Sequence, residues 1–172
     1  MDYQFYVRDQ QFKKVPIVVR PSMQADYSGT RRRGWDSDWT SEEMQNPALE
    51  KYTFETQEGK DIVALCAYED RSGWLSIRIS YAESEPGSHP RLVAKRERRK
   101  YTEIGRAVIA YGVLLSLQRG YDGTVHFKAK TTDLYNHYRS AYGALDLPSG
   151  EPYALIIFGE QAVKLLDYYK EV

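Results

Sequence analysis

The chain has 172 residues, and 24 Lys and Arg balance 24 Asp and Glu to a formal charge of zero. That length makes one domain over residues 1–172 the default, and a 42% hydrophobic, 13% aromatic composition excludes a disordered chain. A neutral total argues against wholesale coating of nucleic acid.

Residues 3–8 alternate and predict a strand, and residues 15–20 predict a second. Residues 21–48 fit no single pattern: they hold Pro21, Gly29, Gly34 and Pro47, the run Arg31-Arg32-Arg33, and Trp35 and Trp39. Thr40 followed by Glu43 has capping-box spacing and predicts a short helix near Ser41. The ranges 51–56, 61–68 and 74–82 predict three strands joined by tight turns, hence an antiparallel meander. Residues 84–100, with Pro86, Gly87 and Pro90, predict a loop.

The strongest helix follows. Ile104, Ala107, Val108, Tyr111, Leu114 and Leu115 recur at helical spacing, Ile109 and Leu117 widen the apolar surface, and Gly120 ends it. Residues 124–129 predict a strand with Val125, Phe127 and Ala129 on one face. Thr131 caps a second helix that places Leu134, His137, Tyr138 and Ala141 together and stops at Gly143. Residues 153–158 predict a strand and 161–169 a terminal helix. Helical crossovers between strands imply parallel neighbours, whereas hairpins imply antiparallel ones. The expected fold is therefore α/β (α+β), with a mixed, mostly antiparallel sheet and flanking helices.

Other features bound the setting. The longest mostly apolar stretch, 108–117, is about half of a bilayer span, so no membrane partner is expected. The opening MDYQFYVRDQ lacks the basic and apolar regions of a signal peptide. Cys66 is alone, which excludes an intrachain disulfide and a thiolate zinc cluster and makes a cytoplasmic setting the expectation. His89, His126 and His137 fall on different elements, so no metal site is expected.

The neutral total hides an uneven distribution. Residues 36–70 carry −8, and residues 91–106 carry +5. The basic window runs into the predicted helix as Lys100-Tyr101-Thr102-Glu103-Ile104-Gly105-Arg106-Ala107. A helix N-terminus offers free backbone N–H groups and a partial positive charge to an anion. Gly105 would let a phosphate approach the backbone, with Lys100 and Arg106 adding charge. A solvated basic loop is the alternative reading of the same residues.

Ile104-Gly105-Arg106-Ala107, the long helix, the strand after it and Tyr138 on the next helix resemble the Gcn5-related N-acetyltransferase (GNAT) family. The resemblance covers residues 51–158 in element order and 98–144 in motif. The family signature is Arg/Gln-x-x-Gly-x-Gly/Ala, whose amides hold the pyrophosphate of coenzyme A. Here Lys100 takes the Arg/Gln position, Glu103 the first Gly and Gly105 the last. The resemblance implies acetyl-CoA as co-substrate and transfer of its acetyl group to a primary amine on a small molecule or a protein. It implies Tyr138 as proton donor to the departing thiolate, Glu83 as general base, and backbone of Ile79 and Tyr81 against pantetheine, with Thr131 where members often carry Asn. Two alternatives stay open: a catalytically degenerate interaction module on the same fold, and a nucleic-acid-associated protein using Arg31-Arg32-Arg33 with Trp35 and Trp39. The acceptor and the oligomeric state, a homodimer included, are left open.

Overall fold

A computed structural model describes residues 2–171. Its strands are β1 (Tyr6–Arg8), β2 (Lys14–Pro21), β3 (Glu50–Thr56), β4 (Ile62–Arg71), β5 (Ser76–Ser84), β6 (Val125–Lys128), β7 (Leu145–Asp146) and β8 (Ala154–Ile157). Its helices are α1 (Gln24–Tyr27), α2 (Ile104–Gln118), α3 (Thr132–Tyr142) and α4 (Gly159–Asp167). The strands hydrogen-bond in the order β1-β2-β3-β4-β5-β6-β8-β7. β5 and β6 are parallel, while β1–β2, β2–β3, β6–β8 and β7–β8 are antiparallel. The mixed sheet is the one expected. No helix among the described residues is long and apolar enough to cross a membrane.

The chain groups into two compact units, whose boundaries fall within β4, β5 and α2. One unit holds residues 4–67 and 81–107. Its core gathers Trp35, Trp39, Met44, Leu49, Leu65 and Ala67, with Tyr27, Ile62 and Tyr81 packed against them. Trp35 and Trp39 are 4% and 2% exposed, so they anchor the irregular segment and offer no face for stacking on a base. The arginine run is likewise engaged: Arg31 donates to the carbonyl of Trp35, and Arg33 to that of Asp26.

Asp26 fixes the start of this segment. Its carboxylate takes a bidentate pair from Arg20 at 2.7 and 2.8 Å and accepts from the Met23 amide and the Thr53 hydroxyl. Glu55 accepts from the same guanidinium at 3.1 Å. The Arg20 hydrogen bond holds the Asp26 carboxyl below the usual carboxylate range, against the opposing effect of burial. A folded-state value below the unfolded one stabilises fully above about pH 4 and is lost as pH falls below it. Asp26→Asn is expected to cost about 3 kcal/mol at neutral pH, because it leaves Arg20 half-paired. Denaturant unfolding should show that gap closing at pH 3. A gap of equal size at both pH values contradicts the assignment.

The other unit holds residues 1–3, 68–80 and 108–172. α2 is apolar on nearly every side, and Ala107, Ala110 and Val113 are fully buried. Gly112 lies where a Cβ would press at 3.2 Å on Tyr68 and 3.4 Å on Val125, so only glycine lets the helix approach the sheet this closely. Leu117, expected on the apolar surface, is 40% exposed. On the opposite face of β6, His126 is buried, with its Nδ1 2.7 Å from the Ser76 hydroxyl. Burial, with help from Arg78 and Arg71, pushes its pKa down to about 4, so it is neutral at physiological pH.

Several elements differ from expectation. Trp74 belongs to a 3-10 turn (Ser72–Trp74) and not to β5. The short helix near Ser41 is a 3-10 turn (Glu42–Gln45), and Thr40 turns its hydroxyl to Asp38 instead of capping it. Short polar side chains compete with the backbone in this way wherever no apolar periodicity holds a helix. The crossover through α3 leads to an antiparallel neighbour, β8, because the edge strand β7 intervenes and reverses the chain. On α3, His137 and Ala141 are exposed and Tyr142 is buried, so the packed face is shifted from the one expected.

Candidate functional site

The basic loop (84–100) holds two 3-10 turns, Pro86–Ser88 and Arg96–Arg98, and delivers the chain to α2. The loop is tied down at several points. The Lys100 amide donates to Gly87, and the Tyr101 amide donates to the Ser88 hydroxyl. Thr102 forms a reciprocal pair of backbone hydrogen bonds with Arg8 at the end of β1, at 2.9 and 3.1 Å. Tyr101 and Ile104 are buried and Lys100 is exposed, with its Nζ 4.0 Å from Asp61.

Glu103 stands immediately before α2 with φ +66°. A left-handed conformation costs a side-chain-bearing residue roughly 1–2 kcal/mol, and glycine avoids that cost. It occurs here at the position where the resembled signature has its first glycine. The carboxylate does not project alone into the mouth of the helix. Arg8 Nε donates to Oε2 at 2.8 Å, and Arg106 Nη1 lies 3.4 Å from Oε1. The two guanidinium groups offset the charge that a carboxylate would bring to an anion site.

Gly105 occupies the first turn of α2, is exposed, and has nothing within 4 Å of the point where a Cβ would stand. Thr102 Oγ1 is buried and has no hydrogen-bond partner among the described residues. α-Helical geometry leaves the first-turn N–H groups pointing out of this end. Exposed first-turn backbone at Gly105, beside the guanidinium groups of Arg8 and Arg106, forms a donor set that suits a diphosphate.

In the other unit, the parallel register pairs Ile77 with Val125, Arg78 with His126, and Ile79 with Phe127. It ends at Ile79, whereas β5 continues to Ser84. The edge of β5 beyond Ile79 is therefore not paired with β6. Phe127, at that terminus, packs edge-on against Tyr138 with ring centroids 5.2 Å apart. Tyr138 also stacks on Tyr142 at 5.9 Å. Burial, with Tyr142 adding to it, pushes the Tyr138 phenol up to about 12. The phenol therefore keeps its proton throughout the physiological range. Thr131 caps α3 by accepting from the Leu134 amide at 3.1 Å.

Glu83, the expected general base, lies at the end of β5. Its carboxylate is buried and accepts from the Asp36 amide at 2.7 Å, the Ser37 amide at 3.1 Å and the Trp39 indole at 3.1 Å. His89 Nε2 lies 3.9 Å from it. Both oxygens are occupied in holding residues 36–39, which favours an anchoring role over proton abstraction. Sequence alone hides this, because the donors come from a segment more than 40 positions away. Glu85 is similarly engaged by the Gly87 amide and the Ser88 hydroxyl.

The acidic and basic windows also partly cancel each other. Asp36 pairs with Arg91 at 3.1 Å and Asp61 with Lys100 at 4.0 Å, while Asp70 pairs at 3.1 Å with Arg119, outside the basic window. The −8 window is thus not a free acidic surface. Among the described residues no cluster of His, Cys, Asp and Glu could hold a metal ion.

No protein-family model matches the chain, and no curated protein matches it. Solved structures do match in fold. Mutant forms of the spermidine/spermine N-acetyltransferase SpeG from Vibrio cholerae align with a TM-score of 0.53 at 11% identity, over 90% of this chain and 98% of that one. The chain has the GNAT fold. A second GNAT, the nucleotide-linked sugar enzyme FdhC, aligns with a TM-score of 0.53 at 9% identity, over 98% of this chain and 97% of its own. A nourseothricin acetyltransferase matches at 14% identity with a TM-score of 0.40, over 64% of this chain and 64% of that one. In GNAT terms, the α2 mouth and the end of the β5–β6 pairing are the elements to which the resemblance assigns coenzyme A.

Proposed function

We propose that the chain is an acyl-CoA-dependent N-acyltransferase that passes an acetyl group to a primary amine. The observation that carries this reading is the mouth of α2. There Glu103 adopts a left-handed conformation, which favours glycine, at the position where the signature has its first glycine, its carboxylate is paired with Arg8 and Arg106, and Gly105 leaves the approach open. Acetyl-CoA supplies the activated acyl group as a thioester.

The chain's own residues then bind, orient and move a proton. Amides of the first turn of α2, with Gly105 at the approach, hold the diphosphate. The β5 edge at Ile79–Tyr81 would hold the pantetheine arm, and a backbone amide there would polarise the thioester carbonyl. Tyr138 holds a proton at its phenol oxygen and delivers it to the departing thiolate. The amine nitrogen attacks the thioester carbonyl directly in a ternary complex, the C–S bond breaks as the C–N bond forms, and the proton lost by the nitrogen passes to solvent water, from which Tyr138 regains its own; positioning provides most of the acceleration. Glu83 acts by holding Trp39 and its neighbours in place.

Release of free thiol from acetyl-CoA tests the reading. Incubation with a panel of primary amines, polyamines, aminoglycosides and lysine-rich peptides among them, is expected to release thiol with at least one acceptor. Absence of both thiol release and acetyl-CoA binding at millimolar concentration overturns it.

A further inference from the structure

Glu103 is the residue that departs furthest from what an anion site needs, and its surroundings are specific. It sits at the entrance to α2 in a left-handed conformation, φ +66°. Arg8 reaches it from β1, 95 positions away in sequence, at 2.8 Å, and Arg106 reaches it from one turn into the helix at 3.4 Å. The backbone pairing of Arg8 with Thr102 fixes where the Arg8 side chain starts. The side chains of Arg8, Glu103 and Arg106 are 27%, 19% and 25% exposed, so the group is accessible but only partly hydrated. Charge interactions in such a setting are stronger than on an open surface.

We propose that Glu103 is a built-in counter-anion that occupies Arg8 and Arg106 and yields them when the diphosphate of coenzyme A docks at the mouth of α2. The proposal rests on the functional reading above and adds a regulation of the same site. A carboxylate and a phosphate each present a pair of anionic oxygen acceptors to guanidinium, and both suit a forked donor. With Glu103 in place the three side chains carry +1. Without its charge they carry +2 beside the first-turn N–H groups. The chain would thereby hold its cofactor less tightly than the glycine-bearing signature does, and exchange it faster.

Two substitutions separate charge from conformation. Glu103→Gln keeps the size and removes the charge. Glu103→Gly removes both and relieves the left-handed strain. Calorimetric titration with coenzyme A, at low and at moderate ionic strength, reads affinity without any need for turnover. Both variants are expected to bind about tenfold more tightly than the native chain, which corresponds to one like charge removed from near a phosphate. The gain should shrink at the higher ionic strength. Arg8→Met, which leaves Glu103 less compensated, is expected to weaken binding by a similar factor. If the native chain binds and neither Glu103 variant binds more tightly, the counter-anion proposal is overturned and the functional reading stands. If neither the native chain nor any variant binds, both are overturned. Thermal melting of each variant accompanies the titration and shows that the variant is folded at the titration temperature.

Discussion

Gly105→Trp is expected to abolish coenzyme A binding while leaving the fold intact. The reason is the environment of Gly105. It is exposed, in the first turn of α2, and a Cβ there meets nothing within 4 Å. An indole therefore has room to be accommodated without pressing on the core. It would stand where a diphosphate must approach the backbone amides. Glycine is also a poor helix former, so its replacement gains roughly 0.5 kcal/mol of helix propensity. Thermal melting should show a midpoint equal to or above that of the native chain. Calorimetry should show affinity lost by more than about 100-fold, which is a few kcal/mol of binding free energy. Retained affinity would remove the α2 mouth from the site, whatever else the chain binds.

Tyr138→Phe is expected to reduce turnover by about 100-fold, the usual scale of a positioned general acid. The substitution deletes one oxygen and keeps the ring. Edge-on packing against Phe127 at 5.2 Å and stacking on Tyr142 at 5.9 Å both survive it. Coenzyme A affinity should therefore change by no more than about twofold, so that the loss falls on kcat and not on binding. The pH profile provides a second check. Burial pushes the phenol up to about 12, so it remains protonated across the working range. No descending limb from this group should occur below about pH 10 in the native enzyme. Equal turnover in the two proteins would return Tyr138 to the packed face of α3 as a core residue and nothing more.

Legibility of the fold in the sequence followed hydrophobic periodicity. α2 is readable because Ile104, Ala107, Val108, Tyr111 and Leu115 repeat at helical spacing over about three turns. β3, β4 and β5 are readable from short apolar runs between turn residues. β7 is two residues long, Leu145 and Asp146, both exposed, and carries no pattern to find. Its presence reverses β8, which is why the second crossover does not give a parallel pair. Residues 21–48 resist reading for a related reason. Their order comes from buried indoles and from side-chain acceptors, Asp26 for the nearby Arg20 and Glu83 for the distant Trp39, and neither leaves a period in the sequence.

The site was legible in part. The Lys100–Ala107 stretch identified itself through charge, a glycine and a following helix. Its departure, Glu103, puts a carboxylate where the signature has glycine. One neutralising partner, Arg106, stands three residues on, but the nearer one, Arg8, comes from the first strand, and no local spacing links it to Glu103. Glu83 shows the converse. Its place at the end of β5 suits a base, but three donors from the 36–39 segment fill its oxygens. Composition has the same limit: the opposed charge windows are real along the chain, yet Asp36–Arg91 and Asp61–Lys100 join them in space.

The central claim is that the first turn of α2 receives the diphosphate of coenzyme A. Amide chemical shifts of the isotope-labelled native chain, followed while coenzyme A is added, test it at single-residue resolution. The Gly105 amide, with its neighbours in the first turn, should shift strongly and saturably, while the exposed Ser140 amide on α3 stays in place. Saturable shifts elsewhere with an unmoved Gly105 amide would contradict the account.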